Sequence, residues 1–482
     1  MDTYENVSES VKSIFGRLRS SLTLQRQACD AVDSWVNPVA RGFEVPRNAA
    51  PEHRALADLA RTPWLRLIVD NVAQAMFVDR IVDSEGESND LWSLWHANGL
   101  QSAQISLHRC FIMYGHAYSI VTPAVSRGAG TAKVRFMSPR RVAVEFDDPG
   151  SSLYPSAALE AATPREGGQQ FTLYLPGVTL DLVEKSPDEV VVVGRTDTEL
   201  DKVPVVRFAN QVDLDGKVVG EVTPFIPTAQ RINKTSYDRL LAQHFNSWKV
   251  KYVTGVETPR VPTTEYDEEG TPYTFTPEGA PVDELAAEKL KTKLAQDDIL
   301  LIEDVESKLG TLDATALDPF VNAWRSDIEA LAAVSQTPAH ALTGQLVNLS
   351  AEALAAARAP LSQKVTERQV SANLSYSLTL RLAASYAGLD ELAADDFVRV
   401  TWQDMEIRSL SQAVDALGKA KTMLGVPARG LWARIPGVEA SDLQEWDQLA
   451  QDETENDPVN RLLAKGAEPT GVDTGVTGGS NE

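Results

Sequence analysis

The residues best equipped for chemistry are carboxylates. Asp297-Asp298 and Glu303-Asp304 are the densest pairs, and two carboxylates at a suitable separation can run acid–base hydrolysis. Neighbours on a strand point to opposite faces, so neither pair supplies an acid and a base by itself. A solvated acidic surface is the simpler reading, and an acidic hydrolase working through 297–306 is the alternative. The six histidines (53, 96, 108, 116, 244 and 340) lack metal-ligand spacing, and His108 and His116 flank a helix-to-strand junction, where packing suits them. HExxH, GxSxG and GxxxxGK[ST] are absent. Gly418-Lys419 lies in a helical pattern without the glycine-rich loop that cradles phosphate. Cys29 and Cys110 offer neither a disulfide framework nor a CxxC zinc site. Neither a metal nor a cofactor is expected.

The charge balance narrows the class further. Across 482 residues, 45 Lys plus Arg face 68 Asp plus Glu, a net of −23. Such a chain does not grip nucleic acid along its whole surface, because affinity for DNA comes from neutralising phosphates. The imbalance is local. Residues 261–318 hold 15 acids against 4 lysines, or −11, whereas 223–260 hold 6 basic residues against 2 acids, or +4. The basic island is either a solvated helix face or a surface close to a DNA backbone. Composition is that of a globular protein with room for two to four domains. No apolar run is long enough to span a bilayer, and MDTYENVSESVKSIF lacks the features of a secretory leader. The sequons at Asn233 and Asn348 are then chance matches, and folding in a reducing interior is expected.

The elements that carry these residues follow from periodicity. Polar helical sequence fills 1–60, broken by WVNP at 35–38; helices follow over 62–76, 89–98 and 101–113. Alternating segments at 114–123, 131–139, 141–150, 169–177, 188–195 and 204–210 predict one antiparallel sheet, hence an α+β class. A long helix starts near Pro227, and a strand covers 249–255. The acidic insert contains a helix at 281–295 and a strand at 298–304, which can pair with 249–255 of a neighbouring subunit. Asp318-Pro319 reads as N-cap and first position of another helix. Pro338 and Gly344 punctuate a broken loop, Ser350 caps a helix running to Ala387, and Gly388 stops it. FVRVTW (397–402) is a strand, 405–450 a small helical region, and the acidic stretch from DETEN onward a disordered tail.

This order of parts resembles the portal proteins, the head–tail connectors of tailed double-stranded DNA phages with long non-contractile tails. WLRLIVDNVAQAMFVDRI (64–81), SLHRCFIMYGHAYSIV (106–121), RINKTSYDRLLAQHFNSWKVKYVTG (231–255) and EIRSLSQAVDALGKAKTMLGVPARGLW (406–432) each resemble a family segment. AWRSDIEALAAVSQTPAHALTGQLVNLSAEALAAARAPLSQKVTERQ (323–369) is the most specific. The resemblance implies a portal fold divided into a wing (1–222 and 350–402), stem helices (223–250 and 318–335), a clip (251–317), a tunnel loop (336–349), a crown (403–455) and a tail (456–482). It also implies a dodecameric ring at one capsid vertex of the virion, assembled in the host cytoplasm, without enzymatic activity or membrane contact. Double-stranded DNA would pass through it during packaging and ejection. The implied partners are the terminase large subunit, a head–tail adaptor, and the major capsid and scaffold proteins. A virion adaptor without a channel is the other non-enzymatic reading, and the length disfavours it.

Carried onto this sequence, the resemblance puts His340, Thr343, Gln345 and Asn348 in the channel-facing loop. Gln345 and Asn348 can hydrogen-bond phosphate oxygens without adding charge, or can simply cap helix ends. Arg231, Lys234, Lys249 and Lys251 lie along the stem near DNA, and Asp267, Glu268, Glu269, Asp297 and Asp298 form the clip's docking surface. A conduit must let DNA slide, which suits sparse positive charge.

Overall fold

A computed structural model describes residues 8–37, 51–124, 131–162, 168–186, 189–247, 251–254, 264–266, 272–274, 308–311, 314–344, 350–403, 410–432, 435, 438 and 440–456. The helix Ala351–Ala387 is its longest element, about 55 Å at the α-helical rise. Ser350 caps it by accepting from the Ala353 amide at 3.2 Å, and Gly388 ends it in the left-handed region at φ 75°.

The second half of this helix lies across a three-stranded antiparallel sheet in the order Thr131–Met137, His116–Ala124, Val205–Ala209. Strand Val205–Ala209 stands at one edge of this sheet, and hydroxyls of the helix reach carbonyls along it. Ser371 Oγ donates to Ala209 O and Ser375 Oγ to Arg207 O, each at 2.8 Å. Ser119 and Thr379 share a buried hydroxyl pair at 2.7 Å. Helices Trp64–Ala73, Asn89–Ala97 and Leu100–Tyr114 pack into the same core through Leu65, Ile68, Val72, Trp95 and Phe111. Strand Arg399–Trp402 returns to pair antiparallel with Val78–Val82, so residues 350–402 close the core begun by the first half of the chain.

A second layer sits beside the first. Five strands, Val142–Glu145, Ala157–Ala161, Gln169–Leu175, Val178–Ser186 and Glu189–Asp197, form an antiparallel meander in chain order. Helix Glu9–Val36 covers it with Phe15, Leu18 and Leu22, and Arg17–Glu145 (3.0 Å) and Arg19–Glu184 (2.9 Å) pin the rim. The single sheet expected from the sequence is therefore two. Strand Ala157–Ala161 escapes sequence reading because AALEA has weak strand propensity and is buried at every position, so it shows no alternation.

Three further boundaries differ from expectation. Leu317, not Asp318, is the N-cap of helix Asp318–Val334, and no side chain caps it; Asp318 sits in the first turn, where its charge suits the helix dipole. Strand Lys251–Thr254 pairs within the chain with Lys308–Thr311. That pairing occupies one edge of the strand assigned to a neighbouring subunit, while 281–295 and 298–304 lie outside the described residues. Helix Ala440–Asn456 includes the acidic DETEN stretch expected to open the tail, and 457–482 lie outside the described residues. Helices Leu410–Leu424, Ala428–Trp432 and Ala440–Asn456 fill the helical region expected over 405–450.

His108 packs at the centre of the main core. Its Nδ1–H donates to Met76 O at 3.0 Å, so Nε2 accepts from the Tyr376 hydroxyl at 2.8 Å. Burial lowers its pKa from 6.5 to about 4. An imidazole buried neutral contributes stability above its unfolded pKa and loses it as pH falls toward the folded value. The unfolding free-energy difference between wild type and His108→Phe should shrink by about 3 kcal/mol from about pH 7.5 to about pH 4. Urea titrations across that range measure it, and a pH-independent difference contradicts it.

Candidate functional site

The described residues assigned to DNA contact fall on three elements: Arg231 and Lys234 on helix Ile226–Ser247, Lys251 on strand Lys251–Thr254, and His340 and Thr343 on the short helix Ala339–Thr343. Helix Ile226–Ser247 packs beside helix Asp318–Val334. Arg231 Nε meets Asp327 Oδ1 at 2.8 Å across the pair, and the Arg239 guanidinium lies 5.7 Å from the Trp324 ring centroid. Lys234 pairs with Asp238 one turn on, and its ammonium also lies over the Tyr237 ring. Arg231 and Lys234 thus have carboxylate partners within the chain. Lys249 lies outside the described residues, and Lys251 opens the strand opposite Thr311. Asp267, Glu268, Glu269, Asp297 and Asp298 also lie outside them.

After Val334 the chain turns through Ser335–Thr337 into a short helix, Ala339–Thr343. This helix sits inside the stretch expected as a broken loop, with Pro338 as its N-cap and Gly344, at φ 69°, as its C-cap. His340 is half-buried on it. Thr343 Oγ1 donates back to Ala339 O at 3.0 Å, an intrahelical bond. Leu342 anchors the helix in the core. Gln345 and Asn348 lie outside the described residues. A cavity of about 360 Å³ separates the short helix from the long one, with Pro338, His340 and Ala341 on one wall and Arg358, Leu361 and Thr366 on the other.

The turn that launches this segment is built over a buried ionic cluster. Glu221 accepts from Lys364 Nζ at 2.6 Å on one oxygen, and from Arg368 at 2.7 and 3.1 Å and Asn210 Nδ2 at 3.1 Å on the other. Lys364 Nζ also donates to Ser335 O at 2.9 Å. Side-chain exposures are 6% for Glu221, 4% for Lys364 and 5% for Arg368, so these are charges in the interior. Burial pushes the Glu221 carboxyl up, but the two cations, Lys364 ahead of Arg368, outweigh it and hold the group below the usual carboxylate range.

Glycines place Glu221 there. Gly115 ends helix Leu100–Tyr114 at φ 95°, and a Cβ on it would come within 2.9 Å of Gly220 N. Gly220 is equally confined, 2.5 Å from Met113 O on the same test. This backbone-on-backbone contact lets Glu221 N donate to Ile112 O at 2.8 Å and turns the carboxylate inward, five residues before helix Ile226–Ser247 begins. The cluster therefore ties the entry to one helix to the middle of the longest and, through Lys364, to the exit of another. Glu221 is not among the candidates read from the sequence. Its only signal there is a Lys and an Arg four apart, at 364 and 368, on one face of a long helix.

With this geometry in hand, comparison with known proteins identifies the class. The family described as phage portal protein, SPP1 Gp6-like, matches residues 44–458, and the chain belongs to that family. It is a phage portal protein with an α+β portal fold, a structural rather than an enzymatic class. Among its relatives is the portal protein of Mycobacterium phage D29, 26% identical over 407 residues, or 81% of this chain and 79% of that one. The portal protein of Mycobacterium phage L5 is 26% identical over 400 residues, 80% and 76% of the two chains. Among solved structures, a chain in the virion of a native gene transfer agent particle aligns at TM-score 0.39 and 13% identity, covering 84% of this chain and 99% of that one. A chain in the neck of an empty gene transfer agent particle aligns at TM-score 0.40 and 12% identity, covering 80% and 96%.

Glu221→Ala would strand two buried cations without their counter-charge. The variant should lose about 3–5 kcal/mol of stability, measured by urea denaturation at neutral pH; a loss under about 1 kcal/mol contradicts a buried, interdependent cluster.

Proposed function

We propose that copies of this chain form a closed ring, dodecameric in the virion, at one capsid vertex, and that the segment bearing His340 and Thr343 faces its channel. The terminase large subunit drives double-stranded DNA through the ring during packaging, and the same path serves ejection. Residues 251–317 form the clip that meets the terminase and later a head–tail adaptor. Residues 1–222 and 350–402 form the wing, which borders the major capsid and scaffold proteins. Residues 403–455 form the crown. Assembly takes place in the host cytoplasm.

The observation that carries this reading is the braced pair of stem helices. Two of their cations are matched inside the chain, Arg231 to Asp327 and Lys234 to Asp238. With these two cations already partnered, the stem releases fewer counterions when DNA passes, so it holds DNA more weakly and lets it slide. With a net charge of −23, the chain suits a conduit better than a clamp.

The test uses purified full-length protein. Light scattering after size exclusion, with electron-microscope class averages of the same peak, should give a ring of about a dozen copies around a hole wider than a duplex, about 20 Å. DNA affinity of that ring should be weak, with a shallow salt slope. A monomer or dimer at all concentrations, both alone and with capsid and scaffold proteins, contradicts the ring. Tight binding that falls steeply with salt contradicts the conduit.

A further inference from the structure

We infer that Lys364 is a positioning residue for the segment 335–344, acting through the Ser335 carbonyl as well as pairing with Glu221. Charge balance is the first reason. Glu221 carries one negative charge, and Arg368 already meets it with both Nε and a terminal nitrogen. Lys364 is a second cation for the same buried carboxylate. Arg368 also reaches Glu367 at 3.4 Å, but that carboxylate stands largely in solvent. Burying a surplus ammonium is unfavourable unless it holds something. The remaining group within its reach is the Ser335 carbonyl, at 2.9 Å.

That carbonyl sits at a turn that needs holding. Ser335 ends helix Asp318–Val334, and Gln336 follows at φ 54°, the one non-glycine residue with positive φ among the described residues. A side chain in that region is strained, so surrounding contacts must fix it. Thr337 is buried and bonded through its hydroxyl to Ser335 Oγ at 3.0 Å. Beyond the turn, the short helix packs against helix Asp318–Val334 and borders the 360 Å³ cavity, with Leu342 as its buried anchor. Position therefore depends on the turn, and the turn on Lys364. Loss of the latch frees the short helix to move into the cavity. The consequence for the channel rests on the reading that this segment faces DNA; the latch itself does not.

Hydrogen exchange on the full chain separates the two. Lys364→Met keeps the Glu221–Arg368 pair and removes the bonds to Ser335 O and Glu221 Oε2. The expected result is a lowered urea midpoint with an unchanged assembly state, and exchange at the Thr337, Ala341 and Gly344 amides faster by about ten-fold more than any change at the core-helix amides. Those amides are hydrogen-bonded within the segment, to Ala332 O, Pro338 O and His340 O. Lys364→Arg, which still donates to the carbonyl, should restore slow exchange. Wild-type exchange in Lys364→Met overturns the proposal, as does exchange that rises equally in the segment and the core helices, or failure to fold, either of which would assign Lys364 to the ion pair alone. A chain that forms no ring yet shows the local change sinks the channel reading and leaves the latch standing.

Discussion

Three stretches of the chain far apart in sequence meet around one buried ionic cluster. Glu221 stands where the sheet-bearing half gives way to the stem, Ser335 where the second stem helix ends, and Lys364 and Arg368 in the middle of the long helix. A charge cannot be buried alone, so the three must arrive together or not at all. This fixes how the helix pair leaves the globular core. It also sets the point from which the short helix Ala339–Thr343 is launched. Hydrophobic packing can tolerate a small slide between helices, but a hydrogen-bonded ionic cluster with defined partners cannot, so polar rather than apolar contacts set the register.

The remaining polar contacts of the core follow the same logic on a smaller scale. Ser371 and Ser375 satisfy carbonyls along an edge strand that would otherwise be buried unpaired, and Asn98 ties a helix end to Ala132 O and the Val134 amide of the hairpin. His108 joins Met76 and Tyr376. Each links a helix to a strand or loop distant in sequence. Apolar residues supply the driving force around them, and these bonds select one arrangement among many that would bury similar area.

Much of this is legible in the sequence, for identifiable reasons. The long helix is bounded correctly because Ser350 and Gly388 are strong local signals whose effect does not depend on the rest of the fold. Pro338 and Gly344 likewise mark the short segment between them, although a five-residue helix is too brief to show a period. The division into two sheets is not legible, since pairing is non-local and AALEA carries no alternation. The Asp318 cap fails because Leu317 can occupy that position without a side-chain bond. Of the candidate site, Arg231 and Lys234 stand out as charges, but their partners Asp327 and Asp238 do not, and with them goes the difference between a DNA-gripping stem and a self-neutralised one. The Glu221 cluster is invisible because it depends on two glycines bringing backbones together, a contact that only tertiary structure displays.

Glu221 and Arg368, coupled in the interior, join the stem entry to the long helix. A double-mutant cycle measures that coupling directly, with Glu221→Gln, Arg368→Met and the pair compared by urea denaturation of the full chain. A coupling energy of about 2–3 kcal/mol is predicted, with the double variant more stable than the sum of the single losses implies. Additive losses, with coupling near zero, would mean that the two groups are neighbours without being partners, and that the buried cluster does not hold the stem to the core.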